Sequence, residues 1–175
     1  MTIALDRPWA RSIATVTVGL TAAFVLPFLV HLIPADGGPP HGARLLPIFY
    51  VGLVLVLRGA PVPALAVAVI APLLNRFVTG MPAGPMLPTV LIELVLFTLL
   101  VVLAVRYLPV SLARFLGPVA YLAATLVARP IVFPGAEPLA TLSTALSVGW
   151  PGLLMLLAVG AIAGMRGTKA PAPGA

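Results

Sequence analysis

The chain has 175 residues, of which 61% are hydrophobic and only 8% are charged, and its mean hydropathy is +1.18. Because soluble domains carry about 25% charged residues, this composition excludes an ordinary soluble fold and predicts one domain of packed helices in a lipid bilayer. The formal charge of +6 comes from basic residues that stand singly near the ends of apolar runs. That pattern is typical of topology signals and not of a nucleic-acid-binding patch.

Six apolar runs follow one another along the chain, and Pro, Gly and charged residues separate them. A membrane-spanning helix needs about 20 residues, so the runs predict an all-α bundle of six transmembrane helices over residues 1–165. The tail over 166–175 is rich in Gly, Ala and Pro, and we expect it to be disordered. The predicted helices cover approximately residues 11–33, 43–57, 61–79, 86–106, 108–128 and 138–165.

The first two runs each allow a second interpretation. The first run follows Arg7 and Arg11, as the apolar part of a signal peptide would, but it ends without a small-x-small cleavage site. We therefore interpret it as a retained helix. The second run has only about 15 residues, with Pro47 near its start, and both a short span and a re-entrant segment fit it.

The distribution of basic residues favours six spans, with both termini on the cytoplasmic side of the cell (inner) membrane. In that arrangement seven basic residues are cytoplasmic and three are external, in agreement with the positive-inside rule. Five spans would move the arginines after the second run to the opposite sides. The cytoplasmic group is Arg7, Arg11, Arg58, Arg106, Arg114, Arg166 and Lys169, and the external group is Arg44, Arg76 and Arg129.

Small residues recur at four-residue spacing, and the pair in the first run is Gly19 with Ala23. Helices in lipid associate where small residues let their backbones approach closely. Two interpretations remain open for this pair. One is packing inside the bundle, and the other is docking of the first helix on a partner membrane protein.

Polar residues stand in segment 74–88 and in the apolar run after it, where a bilayer disfavours them. Asn75 and Thr79 share one side of the third predicted helix, and Arg76 lies near its outer end. Glu93 lies about 10 Å into the fourth predicted helix. We predict that these four residues line an outward-facing cavity. The alternative is that Arg76 reaches the membrane interface and pairs with Glu93 inside the protein.

Further candidates for ligand contact lie near the predicted outer side. His31 and Arg129 fall at outer helix ends, and with Arg44 the external arginines would give a cavity a positive potential. That potential favours an anionic or zwitterionic small molecule. Four aromatic residues are candidates for stacking on a planar ligand, namely Tyr50, Phe97, Tyr121 and Trp150. Anchoring at the membrane interface or packing in the bundle is the alternative role of each.

Motifs of enzymatic chemistry are missing from the sequence. It has no Gly-rich phosphate loop with a lysine, no HExxH and no GxSxG, and it has no cysteine for thiol chemistry or metal binding. We therefore expect no catalysis and no bound cofactor or metal. Without a phosphate loop, energy for any transport would come from an ion gradient or from another subunit. No inverted repeat is visible, and this disfavours a complete secondary transporter.

A series of short motifs extends over roughly residues 20–106 and surrounds the polar segment. The motifs are Val25-Leu26-Pro27 with His31, Leu46-Pro47, Ala71-Pro72-Leu73-Leu74, Thr79-Gly80-Met81-Pro82, Pro85-Met86-Leu87-Pro88 and Glu93-Leu94. In these motifs the chain resembles the substrate-binding S components of energy-coupling factor (ECF) transporters, which take up vitamins and related micronutrients. The two proline motifs ahead of the Glu-Leu pair are the most specific part of the resemblance.

The resemblance implies a six-helix protein that binds its ligand from outside and has no ATPase of its own. A coupling transmembrane protein and two ATPase subunits would then drive uptake. The chain departs from the family at two places. Where a histidine follows the Leu-Pro pair in the family, this chain has Ile48, Phe49 and Tyr50. Where an Ala-xxx-Ala pattern serves docking, the nearest equivalents are Thr17 with Thr21 and Gly19 with Ala23.

Two other functions fit the same sequence. A non-transporting membrane scaffold resembling the rod-shape protein MreD has a comparable size and helix count, and its polar residues would only hold helices together. A small transporter or channel that works without partner subunits is the third interpretation.

Overall fold

The computed structural model describes residues 8–34, 37, 39 and 41–165, and this part of the chain is built from helices. The helices are α1 (Pro8–His31), α2 (His41–Leu45), α3 (Pro47–Leu57), α4 (Pro61–Thr79), α5 (Met86–Tyr107), α6 (Val110–Ala113), α7 (Gly117–Val132) and α8 (Pro138–Met165). The tail predicted to be disordered lies outside the described residues, as do Arg7, Arg166 and Lys169.

In the described part of the chain, four helices are long and apolar enough to cross a membrane, namely α1, α4, α5 and α8. The segment His41–Leu57 and helix α7 are also apolar but shorter. The protein is therefore an all-α, multi-pass membrane protein, and the prediction is confirmed at this level.

Two of the predicted helices are divided in the structure, and a proline stands at the start of the longer part of each. The second run is divided into α2 and α3 at Leu46, which adopts a left-handed conformation with φ 53° and ψ 39°. Pro47 disfavours the right-handed helical conformation in the residue before it, so the chain turns there. The run predicted at 108–128 begins with the single turn of α6, and its long helix starts only at Gly117, with Pro118 in the first turn, where proline is favoured.

Helix α3 forms the centre of the bundle, although it is short. Eight of its eleven residues are buried, and α1, α4, α5 and α8 all pack against it. A helix that is apolar on every side is suited to such a position, because it needs no polar face. The most extensive helix contact lies beside it, between α5 and α7.

Glycines allow α8 to approach its neighbours closely. A Cβ atom added to Gly152 would lie 2.7 Å from the carbonyl oxygen of Arg44, and one added to Gly160 would lie 2.0 Å from that of Arg114. Both distances are shorter than van der Waals contact, so only glycine fits. Helix α8 thus packs its backbone against α2 and against the segment that leads into α7.

Candidate functional site

Arg76 lies exposed at the end of α4 and binds the backbone that follows the helix. Its Nη1 donates hydrogen bonds to the carbonyl oxygens of Gly80 and Pro82, the latter at 3.3 Å. The C-terminus of a helix carries unsatisfied carbonyl groups and the negative end of the helix dipole, so a guanidinium group is favoured there. Arg76 therefore stabilises the turn after α4. The ion pair between Arg76 and Glu93, given above as the alternative, does not form.

Asn75 and Thr79 also use their polar atoms inside the protein. Asn75 is buried, and its Nδ2 donates to the carbonyl oxygen of Ala23 in α1 at 3.3 Å. The Thr79 hydroxyl donates to the carbonyl oxygen of Asn75 at 2.7 Å and accepts a hydrogen bond from the Met81 N–H at 3.2 Å. These residues tie α4 to α1 and close the turn that leads towards α5.

Gly19 and Ala23 lie in the same contact between α1 and α4. Ala23 is fully buried, and a Cβ atom added to Gly19 would come within 2.9 Å of Val67 Cγ2. Such close approach is what small residues permit between helices in lipid. Of the two interpretations left open by the sequence, packing inside the bundle matches these contacts.

Glu93 lies one-third of the way along α5, and its partner is Arg129 of α7. The Arg129 Nε atom is 4.0 Å from Glu93 Oε1. The glutamate is buried, with 6% of its surface exposed, whereas 34% of the Arg129 side chain is exposed. The guanidinium group therefore connects a buried carboxylate with the protein surface near the end of α7.

Polar residues on both sides of this pair form what we call the polar seam, defined as Thr89 and Glu93 of α5 with Tyr121, Thr125 and Arg129 of α7. On each helix these residues are spaced by four, so they occupy one side of the helix. Thr125 and Tyr121 both lie close enough to Glu93 to interact with it electrostatically. All of the five except Arg129 are more than nine-tenths buried.

Four buried atoms of the polar seam have no hydrogen-bond partner among the described residues. They are Thr89 Oγ1, Glu93 Oε1, Thr125 Oγ1 and Arg129 Nε. Leaving a buried donor or acceptor without a partner costs about 1–3 kcal/mol, and more for a charged group. A buried ion pair offsets its desolvation only when further hydrogen bonds complete it. The seam therefore offers donors and acceptors that suit a polar ligand.

An aromatic layer lies one helical turn away from Glu93 and Thr125, towards the interior of the bundle. Phe49 of α3 makes edge-to-face contacts with Phe97 and with Tyr121, at centroid distances of 5.2 and 5.0 Å. Phe97 follows Glu93 by four residues, and Tyr121 precedes Thr125 by four. The layer thus closes the inner end of the polar seam with apolar surface.

The remaining candidates from the sequence lie elsewhere. His31 is exposed, and its Nδ1 lies 2.7 Å from the Pro27 carbonyl oxygen of its own helix. Trp150 is 55% exposed on α8, and Arg44 is half-buried on α2. Tyr50 is buried and lines a groove between α1, α3 and α8.

Of the candidate residues, the structure brings together Glu93 and Arg129. Sequence reasoning missed Thr89 and Thr125 as members of the site and considered Tyr121 only as a stacking aromatic. A usable signal was present, because Thr89 precedes Glu93 by four residues and Thr125 precedes Arg129 by four. Comparison of the chain with family models, with curated proteins and with solved structures finds no match.

Proposed function

We propose that this protein is a substrate-binding membrane subunit of an ECF-type importer, which captures a vitamin or related micronutrient from outside the cell. A coupling transmembrane protein and two ATPase subunits would complete the importer in the inner membrane. The observation that carries the proposal is the polar seam, in which Glu93 Oε1 and Arg129 Nε make no hydrogen bond within the described residues although they face each other as an ion pair. The motifs around Thr79 and Pro85, which resemble those of S components, support it.

The proposed topology has six spans, in which α2 and α3 together form the second and α7 forms the fifth. With both termini in the cytoplasm, Arg58 and Arg106 lie on the inner side and Arg129 on the outer side, which agrees with the positive-inside rule. Glu93 then lies in the outer half of the bilayer. A ligand would reach it from outside, past the partly exposed Arg129.

The chemistry of the polar seam favours a zwitterionic ligand. A cationic or N–H group of the ligand would bind the Glu93 carboxylate, and its anionic group would bind the Arg129 guanidinium. The hydroxyl groups of Thr89 and Thr125 would bind further donors or acceptors. A purely anionic ligand is less suited, because Glu93 would repel it and Arg76 is occupied at the end of α4.

Binding by charge-neutral variants tests the proposal. The purified chain is screened by thermal shift against a panel of vitamins and precursors, and co-purifying small molecules are identified by mass spectrometry. We expect Glu93→Gln and Arg129→Gln to weaken binding of the best ligand by at least about tenfold. Arg76→Gln is the matched control and should leave binding unchanged.

Two outcomes would contradict the proposal. If no compound of the panel shifts the melting temperature and none co-purifies, the chain is not a binding subunit for such ligands. If Glu93→Gln strengthens binding while Arg129→Gln weakens it, the ligand is an anion and the zwitterion is wrong.

A membrane scaffold resembling MreD is the second candidate, and one observation favours it. Asn75, Arg76 and Thr79 all bond within the chain, as expected of residues that only hold helices together. Cross-linking in cells followed by purification distinguishes the two functions. Recovery of cell-wall synthesis proteins would favour the scaffold, and recovery of ATPase subunits would favour the importer.

A further inference from the structure

A groove runs along the side of the bundle between α1, α3 and α8. It has a volume of about 620 Å³. We call it the lateral groove and define it by Ala22, Leu26, Tyr50, Val54, Arg58 and Met155 among its lining residues. None of these residues belongs to the polar seam.

The lateral groove extends along α1, and its surface is almost entirely apolar. On α1 its lining extends from Val18 to Val30, which corresponds to roughly 18 Å at 1.5 Å per residue. That length is close to half of the hydrocarbon thickness of a bilayer, about 30 Å in total. A single acyl chain fits a slot with this length and lining.

A positive charge stands at one end of the groove. Arg58 is the C-cap residue of α3 and is exposed. Among the described residues that line the groove, it is the only charged one. Its guanidinium group presents donors in a fork that matches phosphate oxygens. In the proposed topology this end lies at the cytoplasmic surface, where anionic lipid headgroups attract basic residues.

From the combined apolar length and terminal arginine, we propose that the lateral groove binds one anionic phospholipid, with an acyl chain along α3 and the phosphate group on Arg58. This site is separate from the polar seam and binds whether or not a micronutrient is present. The Tyr50 hydroxyl is buried in the groove without a partner in the described chain. It lies eight residues, or roughly 12 Å, from Arg58 along α3, so it contributes little to binding the phosphate.

Lipid retention in native mass spectrometry tests this site. The full chain is reconstituted in vesicles of phosphatidylcholine with a minor fraction of phosphatidylglycerol and then extracted in mild detergent. The mass of the protein with its bound lipid identifies the lipid that is retained. We expect one phosphatidylglycerol molecule to be retained in preference to phosphatidylcholine. Arg58→Gln should lower that preference about fivefold, which is the effect of one arginine near the membrane surface.

Matched variants separate the groove from general effects of charge and volume. Arg106→Gln removes another exposed arginine from the same predicted side and should leave retention unchanged. Ala22→Phe fills the groove and should abolish retention, whereas Ala14→Phe places the same ring on an exposed part of α1 outside the lining and should not.

Three results would overturn the proposal. Equal losses for Arg58→Gln and Arg106→Gln would mean that the lipid is held only by general electrostatics. A loss for Tyr50→Phe as large as that for Arg58→Gln would mean that a different amphiphile occupies the groove. A dimer that Ala22→Phe dissociates would mean that a second copy of the chain covers it.

Discussion

Two groups of polar side chains within the apolar helices differ in what those side chains bind. At the end of α4, Asn75, Arg76 and Thr79 bond to backbone groups of the chain itself. In the polar seam, Glu93 Oε1 and Thr125 Oγ1 have no hydrogen-bond partner in the described part of the chain. The presence of a polar residue in a membrane helix is therefore a weaker sign of function than the absence of a protein partner for it.

The largest expected effect comes from removing one charge of the seam. Arg129→Leu would leave the Glu93 carboxylate buried without its partner, and we expect a loss of about 3–5 kcal/mol in the free energy of unfolding. Glu93→Leu combined with Arg129→Leu should recover most of that loss, because no isolated charge remains. The stabilities of the single and the double variant are measured by unfolding in detergent micelles, monitored by circular dichroism. Equal losses for the single and double variants would contradict the pairing of Glu93 with Arg129.

The second largest loss of stability is expected from the residues at the end of α4, where Asn75 connects this helix with α1. Asn75→Ala removes the hydrogen bond to the Ala23 carbonyl oxygen and leaves a small cavity, so we expect a loss of about 2 kcal/mol. Leu74→Ala is the control, since Leu74 is exposed and makes no such bond. Ligand affinity should not change in either variant. A tenfold loss of affinity in Asn75→Ala would mean that Asn75 contacts the ligand.

Threonine-to-valine substitutions should change the stability of the protein in opposite directions at the end of α4 and in the polar seam. Thr79→Val removes a hydroxyl with two hydrogen bonds and should destabilise the protein by about 1 kcal/mol. Thr125→Val replaces a buried hydroxyl without a partner by a methyl group of similar shape, so the ligand-free protein should be as stable as before or more stable. Thermal unfolding without ligand compares the two. Destabilisation by both would show that Thr125 has a structural partner.

The smallest expected effect concerns the residue that is most conspicuous in the sequence. Arg76→Gln keeps an amide donor at the end of α4 but removes the charge that complements the helix dipole, which is worth about 0.5 kcal/mol at an exposed position. High salt should reduce the difference in stability between this variant and the unmodified protein. A loss several times larger in an unfolding experiment would mean that Arg76 holds more than the turn after α4.

Much of the helical organisation could be predicted from the sequence, because apolar runs and prolines are local signals. The bounds of α4 and α8 agree with the predicted ranges 61–79 and 138–165, and the break after α4 falls at Gly80. The division at Leu46 and the separate turn of α6 were not predicted. At Leu46 the following proline decides the backbone, and hydropathy alone does not register it.

The candidate site was predictable only in part, because helix neighbours are not encoded locally. Arg76 stands 17 positions before Glu93 in the sequence, and Arg129 stands 36 positions after it. The nearer arginine suggested a pair, but the contact between α5 and α7 brings the more distant one to the carboxylate. Arg76 instead has nearer partners in the carbonyl groups of its own turn.

The unequal lengths of the helices have a consequence for the surrounding bilayer. Helix α7 has 16 residues and measures roughly 24 Å, whereas α8 has 28 residues and measures roughly 42 Å. A span shorter than the hydrocarbon layer causes hydrophobic mismatch, to which the lipid responds by thinning locally. Thinning beside α7 would bring bulk water closer to Arg129, so membrane thickness becomes a variable that sets access to the buried carboxylate.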